Sequence, residues 1–206
     1  MITPRTPSEA WRALEEGNAR FVHGEPAHPR QDASRRAELV DGQRPWALVL
    51  GCSDSRVAAE TVFDQGLGDL FVVRTAGHVL DSGVLGSVEF GVDVLGIPLV
   101  VVLGHDGCGA VAATVEAVES GVLPGGYVRD VVERVLPSVL TGRRGGATDL
   151  HGLVAEHVRH TARLLAERSV VLSDALEARR CAVIGLTYAL ADGRTRLVDG
   201  VGDLTD

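Results

Sequence analysis

A chain of 206 residues with 45% hydrophobic content has room for one domain with a substantial core and does not demand two. A formal net charge of −8 argues against a general nucleic-acid or membrane-surface binder, and no apolar run nears the roughly 20 residues of a membrane helix. The opening MITPRTPSEAW lacks the apolar core of a signal peptide, so a cytoplasmic location is expected, and three cysteines there favour metal binding or catalysis over a disulfide framework.

Along the chain, residues 8–22 place Trp11, Leu14, Phe21 and Val22 near one side of a helix, with Ser8 as its N-cap. The stripe is narrow and an extended connector follows, so this helix is expected to dock on another surface rather than anchor its own core. Apolar runs at 46–50, 70–74, 99–103 and 181–186 read as strands. Helix-length segments lie at 82–95, 108–120, 127–140 and 150–172. Their alternation predicts a single α/β domain with a central, mostly parallel sheet and helices on both faces. Asp192-Gly193 between two β-like stretches signals a hairpin that adds an antiparallel edge strand.

Two strand ends carry unusual chemistry, LGCSDSR and LGHDGCGAV. In open α/β sheets ligands sit beyond the carboxyl ends of strands, where these loops can converge. Cys52, Asp54, His105 and Cys108 offer two soft thiolates, an imidazole and a carboxylate, a zinc-type set. Gly104, Gly107 and Gly109 let the backbone turn, and Cys108 opens a helix whose dipole favours thiolate. One loop cysteine or histidine is ordinarily packed or solvated; two loops that each pair a thiol with a second ligand type are hard to explain as packing. GCGAVA, residues 107–112, also satisfies the dinucleotide fingerprint with Asp130 about 20 residues on, although that acid falls in a helix-like stretch. A Walker-type phosphate loop fails because no Lys-Ser/Thr follows, and Cys52 and Arg56 lie too close for a cysteine phosphatase loop.

CSDSR followed by GHDGCGA, with 48 residues between Arg56 and His105, resembles the β-class carbonic anhydrases. The likeness extends through NARFV, GQRPWALVLGCSDSRVAAE, FDQGLGDLFVVRTAGHVLD, GSVEFGVDVLGIPLVVVLGHDGCGAV and LPGGYVRDVVERVLPSVL, and is nearest to the actinobacterial branch. The resemblance implies one zinc per subunit, held by Cys52, His105 and Cys108. Asp54 then takes the fourth position or swings away to pair with Arg56, a dyad that decides whether the metal is open. It implies reversible hydration of carbon dioxide to bicarbonate and a proton by a zinc-activated hydroxide. Gln43 matches a glutamine that acts on bound bicarbonate from the neighbouring subunit, Phe71 and Phe90 match residues lining the carbon dioxide pocket, and Gly109 joins these substrate contacts. A homodimer or homotetramer is implied, with residues 1–35 as an arm docking on the partner.

Two thiolates on the dication imply a weaker acid and an alkaline activity optimum, with Asp54 closing the site at lower pH. Val49 stands where one regulated branch has tryptophan, so its inhibitory bicarbonate pocket is not expected, although Arg74 is present. His78 is a candidate for proton return, Cys181 reads as packed core, and His157 with His160 reads as a polar pair on a solvated helix face. The rival readings are a carbonyl sulfide or carbon disulfide hydrolase on the same ligands, a nicotinamide-binding oxidoreductase, and a non-catalytic zinc or thiol-redox protein. The last leaves Asp54, Arg56 and Gln43 without work.

Overall fold

Three Val- and Leu-rich runs with no polar interruption can only be strands covered on both faces, and they form the centre of the sheet. The computed structural model describes residues 4–204. Its strands are β1 (Ala47–Cys52), β2 (Leu70–Thr75), β3 (Leu99–His105), β4 (Ala182–Tyr188) and β5 (Thr195–Val201), in the order β2-β1-β3-β4-β5. The first four run parallel, and β5 is the antiparallel edge, as expected. β1, β3 and β4 are buried along their whole length.

The helices are α1 (Pro7–His23), α2 (Ala33–Glu38), α3 (Ala59–Val62), α4 (Ser82–Glu89), α5 (Gly109–Ser120), α6 (Val128–Arg144), α7 (Leu150–Arg168) and α8 (Val170–Glu177). The period of two along a strand sends Ala47, Val49, Leu99 and Val101 to one face, against α1 and α3, where Leu14, Val62 and Phe63 are buried. Leu48, Leu50, Val100 and Val102 point the other way, against Val84, Val88, Val158 and Leu172 of α4, α7 and α8. A third cluster closes the carboxyl ends of the strands: Cys52 and Cys108 pack with Val111 of α5, Val135 and Val139 of α6, and Leu153 and Val154 of α7. No helix among the described residues is long and apolar enough to cross a membrane.

Several local expectations give way. The cap of α1 is Thr6, not Ser8: Thr6 Oγ1 accepts from Glu9 N, the Glu9 carboxylate accepts from Thr6 N, and Pro7 takes the first turn. That reciprocal box satisfies two donors where Ser8 would satisfy one. α1 also anchors its own core, because Ala10 and Leu14 are fully buried against this chain's sheet. Segment 150–172 breaks at Ser169, whose hydroxyl accepts from Leu172 N to start α8 and donates to Glu89. Residues 82–95 are α-helical only to Glu89 and pass into a π-helical stretch, Phe90–Val94. α2 and α3 carry too little apolar periodicity to be read in advance.

Candidate metal centre

β1 and β3 are hydrogen-bonded neighbours, so their carboxyl ends deliver Cys52 and His105 side by side. Beyond His105 the chain turns through Gly107, whose φ of 64° suits glycine, and re-enters as α5 with Cys108 at its cap. The two sulfurs and an imidazole nitrogen of His105 all lie within 4.8 Å of one another, and all three residues are buried. His105 Nδ1 is 2.9 Å from the Asp106 carbonyl, which can only accept, so Nδ1 carries the proton and Nε2 presents a lone pair. That Nε2 is buried with no hydrogen-bond partner. A buried orphan acceptor beside two thiols is costly unless a cation completes it, and the donor set fits zinc with three protein ligands. Asp106 ties this turn to the end of the fold: its N–H donates to Tyr188 O at 3.1 Å, and its carboxylate accepts from Leu190 N at 3.1 and 3.3 Å.

The two thiols are not equivalent. Cys52 is pushed down to about 4, first by the Cys108 thiol beside it and against its own burial, with the Gly77 N–H donating to its sulfur at 3.3 Å. Cys108 is pushed up, first by the Cys52 thiolate and then by burial. Without metal, one proton is shared between the two sulfurs; a dication holds both as thiolates. Cys181 lies apart in the apolar core, its thiol pushed up to about 12 by burial, in keeping with a packing role.

At the rim of the cluster Asp54 and Arg56 form a two-pronged pair. Asp54 Oδ1 accepts from Arg56 Nε at 2.9 Å and from its backbone N–H at 3.0 Å, and Oδ2 accepts from the guanidinium at 2.7 Å. The Arg56 guanidinium holds the Asp54 carboxyl well below the usual carboxylate range. Oδ2 lies 3.9 Å from His105 Nε2, so the carboxylate stands at the cluster while engaged by arginine. Arg74 braces the same loop, donating to Cys52 O at 2.9 Å and Asp54 O at 2.7 Å. The sequence reading missed this strut, although a strand arginine aligned with Gly51 of β1 was its signal.

Other residues singled out in the sequence fall elsewhere. Gln43 precedes β1, at the far end from Cys52, and lines a cavity of about 730 Å³ with Arg12, Trp46 and Asp69 rather than the cluster. Phe71 and Phe90 face each other with ring centroids 6.3 Å apart. Phe71 aligns with Leu48, four positions before the Cys52–Thr75 pair, on the order of 13 Å along the strand. Gly109 begins α5 next to Cys108. Asp130 is exposed on α6 and ends no strand, so nothing places an acid for a nucleotide ribose. His78 is fully buried with neither ring nitrogen hydrogen-bonded, and burial keeps it well below its ordinary value. His157 corrects the solvated-face reading: it is buried, with Nδ1 2.9 Å from Ser138 Oγ and Nε2 2.8 Å from Gly77 O. The spacing to His160 says that two residues share a side of α7, and that side turns out to meet α6 and the cluster.

The carbonic anhydrase family model matches residues 47–195. Carbonic anhydrase 2 of Mycobacterium tuberculosis is 57% identical over 198 residues, 96% of each chain. The chain belongs to the β-carbonic anhydrase family. A carbonic anhydrase of Mycolicibacterium smegmatis is 56% identical over the same share of both chains. A chain from the crystal structures of two tetrameric β-carbonic anhydrases of Sordaria macrospora superposes with a TM-score of 0.73 at 23% identity, covering 93% of this chain and 98% of that one, and so shares the fold. As a member of the carbonic anhydrases, which are lyases, this β-carbonic anhydrase is an enzyme.

Proposed function

We propose that the protein catalyses the reversible hydration of carbon dioxide to bicarbonate and a proton, with one zinc ion per subunit held by Cys52, His105 and Cys108. The observation that supports this most directly is the partnerless His105 Nε2, buried beside two thiols at the strand ends in a chain of this family. Bound there, zinc would act as a Lewis acid that brings water to a nucleophilic state near neutral pH. The protein's own residues do the rest. Asp54, kept ionised by Arg56, is an acceptor at the rim that fixes the orientation of the attacking water through its O–H. The same carboxylate is a competing fourth ligand, and the hydrogen bonds from Arg56 hold it back, so the pair acts as the gate of the site. Carbon dioxide offers little surface to grip, which makes positioning and electrostatics the main contributions.

Gln43, Phe71 and Phe90 serve as substrate contacts when supplied by a second copy of the chain, since their own cluster lies at the other end of the strands. Gly109, beside Cys108, contributes the positive end of α5 to substrate oxygens. A homodimer or tetramer completes this reading, with a cytoplasmic location and with those parts of residues 1–35 that do not pack on the chain's own sheet reaching the partner.

Metal analysis with stopped-flow hydration assays tests it. The purified protein is expected to hold one zinc per chain, lose activity to the buffer rate on chelation, and recover it with added zinc. Full activity in metal-free protein would overturn the reading. Sulfide release from carbonyl sulfide without carbon dioxide hydration would transfer the same ligand set to the rival hydrolase.

A further inference from the structure

The turn Ala76–His78 forms one wall of the cluster, and its backbone is unusual. Gly77 has φ 63° and ψ 24°, and His78 follows with φ 43°, two left-handed residues in succession. The second bears a side chain, for which this region is unfavourable unless the surroundings enforce it. A Cβ on Gly77 would come within 2.6 Å of the Ala110 Cβ, so no other residue fits there.

Three contacts enforce the turn. Thr75 Oγ1 donates to Val79 O at 3.0 Å and clips its ends together. The other two come from His157, 80 positions further along in α7. Its ring packs against that of His78, tilted by 33° with centroids 4.4 Å apart, and its Nε2 lies 2.8 Å from Gly77 O. A carbonyl only accepts, so His157 Nε2 carries the proton. Burial pushes this imidazole down to about 4, so it is neutral, and its Nδ1 accepts the hydroxyl hydrogen of Ser138 at 2.9 Å. The tautomer is thereby fixed from both sides. The product of this arrangement is the direction of the Gly77 N–H, which points at the Cys52 sulfur.

The two sulfurs are therefore supported in different ways. Cys108 stands at the cap of the helix it opens. Cys52 takes an N–H from a turn that a distant helix holds in place. We infer that His157 is a positioning residue which, through the Gly77 turn, keeps a backbone N–H on the Cys52 sulfur and so sets how strongly that sulfur donates to the metal. An N–H···S bond draws charge from the thiolate, and outer hydrogen bonds of this kind tune both metal affinity and acidity. The inference rests on the reading of Cys52 as a metal ligand.

The test compares full-length wild type with His157→Leu, His157→Gln and Ser138→Ala, loaded with zinc for affinity and with cobalt(II) for its thiolate charge-transfer absorption. In His157→Leu the turn is no longer held, which is expected to weaken zinc binding about 10- to 100-fold through lost pre-organisation, while the more electron-rich Cys52 sulfur moves the charge-transfer band to lower energy and the midpoint of the activity–pH profile upward. His157→Gln retains a donor near the Nε2 position and should restore most of each, with Ser138→Ala between. A residue that merely fills space would lower the melting temperature and leave the band unmoved. A folded His157→Leu with unchanged band and affinity would overturn the inference and leave the hydration reading intact. Should that variant fail to fold, cadmium-113-loaded wild type decides. A scalar coupling between the Gly77 amide proton and cadmium through sulfur supports the bond, and its absence overturns the inference. Wild type that takes up no metal at all would overturn the zinc reading and this inference with it.

Discussion

His105, His157 and His78 share one buried neighbourhood, and the partners of their ring nitrogens separate them. His105 has one nitrogen on a carbonyl and one bare toward two sulfurs, His157 has both engaged within the protein, and His78 has neither. For His157 the consequence is a pH dependence. Its folded value of about 4 lies below the ordinary 6.5, so between those limits the unfolded chain binds the extra proton. Its contribution is therefore complete above pH 6.5 and is lost as the pH falls toward 4. Metal-stripped wild type should lose about 2–3 kcal/mol more than His157→Gln between pH 7.5 and pH 4.5 in urea unfolding. Equal losses would mean that the ring titrates in the fold as it does in the unfolded chain. The cluster of Cys52, His105 and Cys108 and the contact of Asp54 with Arg56 were legible because each lies in a short motif at a strand end. The place of His157 was not, since a polar pair three residues apart does not reveal which side of a helix is covered.

Among the elements, α1 owes its place to Asn18 as much as to its apolar stripe. Asn18 Nδ2 donates to Val62 O at 3.1 Å and Gly193 O at 2.8 Å, and Oδ1 accepts from Thr195 N at 3.0 Å and its hydroxyl at 3.1 Å. One amide thus joins the first helix, the end of α3 and the β4–β5 hairpin. Asn18→Ala leaves several of these buried groups without partners and should cost about 3 kcal/mol in denaturant unfolding, with zinc affinity unchanged. A loss under about 0.5 kcal/mol would show that water replaces the amide easily. The mostly parallel sheet and its antiparallel edge followed from strand–helix alternation and the Asp192-Gly193 turn, whereas the strand order, with β1 between β2 and β3, is set by crossovers that alternation does not specify. The cap at Thr6 and the break at Ser169 escaped because several hydroxyl residues compete for those roles, and geometry rather than residue type decides among them.

At the scale of the molecule, all four parallel strands send their carboxyl ends to one edge, which is why two loops far apart in sequence meet. Gln43 lies at the opposite edge. Motif order alone says nothing of that separation, because closeness in sequence does not tell which end of a strand a residue occupies; in the function proposed, Gln43 acts in a second chain's site. Mixing Cys52→Ser subunits, which lack one of the proposed zinc ligands, with Gln43→Ala subunits tests the sharing. After subunit exchange, random two-fold pairing should restore about a quarter of wild-type hydration activity; no recovery would place Gln43 outside the partner's site.

The chain possesses Cys52, His105 and Cys108 just past its midpoint, yet the turn that aims His105 is pinned by Tyr188 and Leu190. During synthesis the donors emerge from the ribosome long before the strand and hairpin that seat them. On the proposed zinc reading, loading of the ion would be a closing event of biogenesis, since a truncated nascent chain, though it carries all three donor residues, lacks the strand and hairpin that seat them.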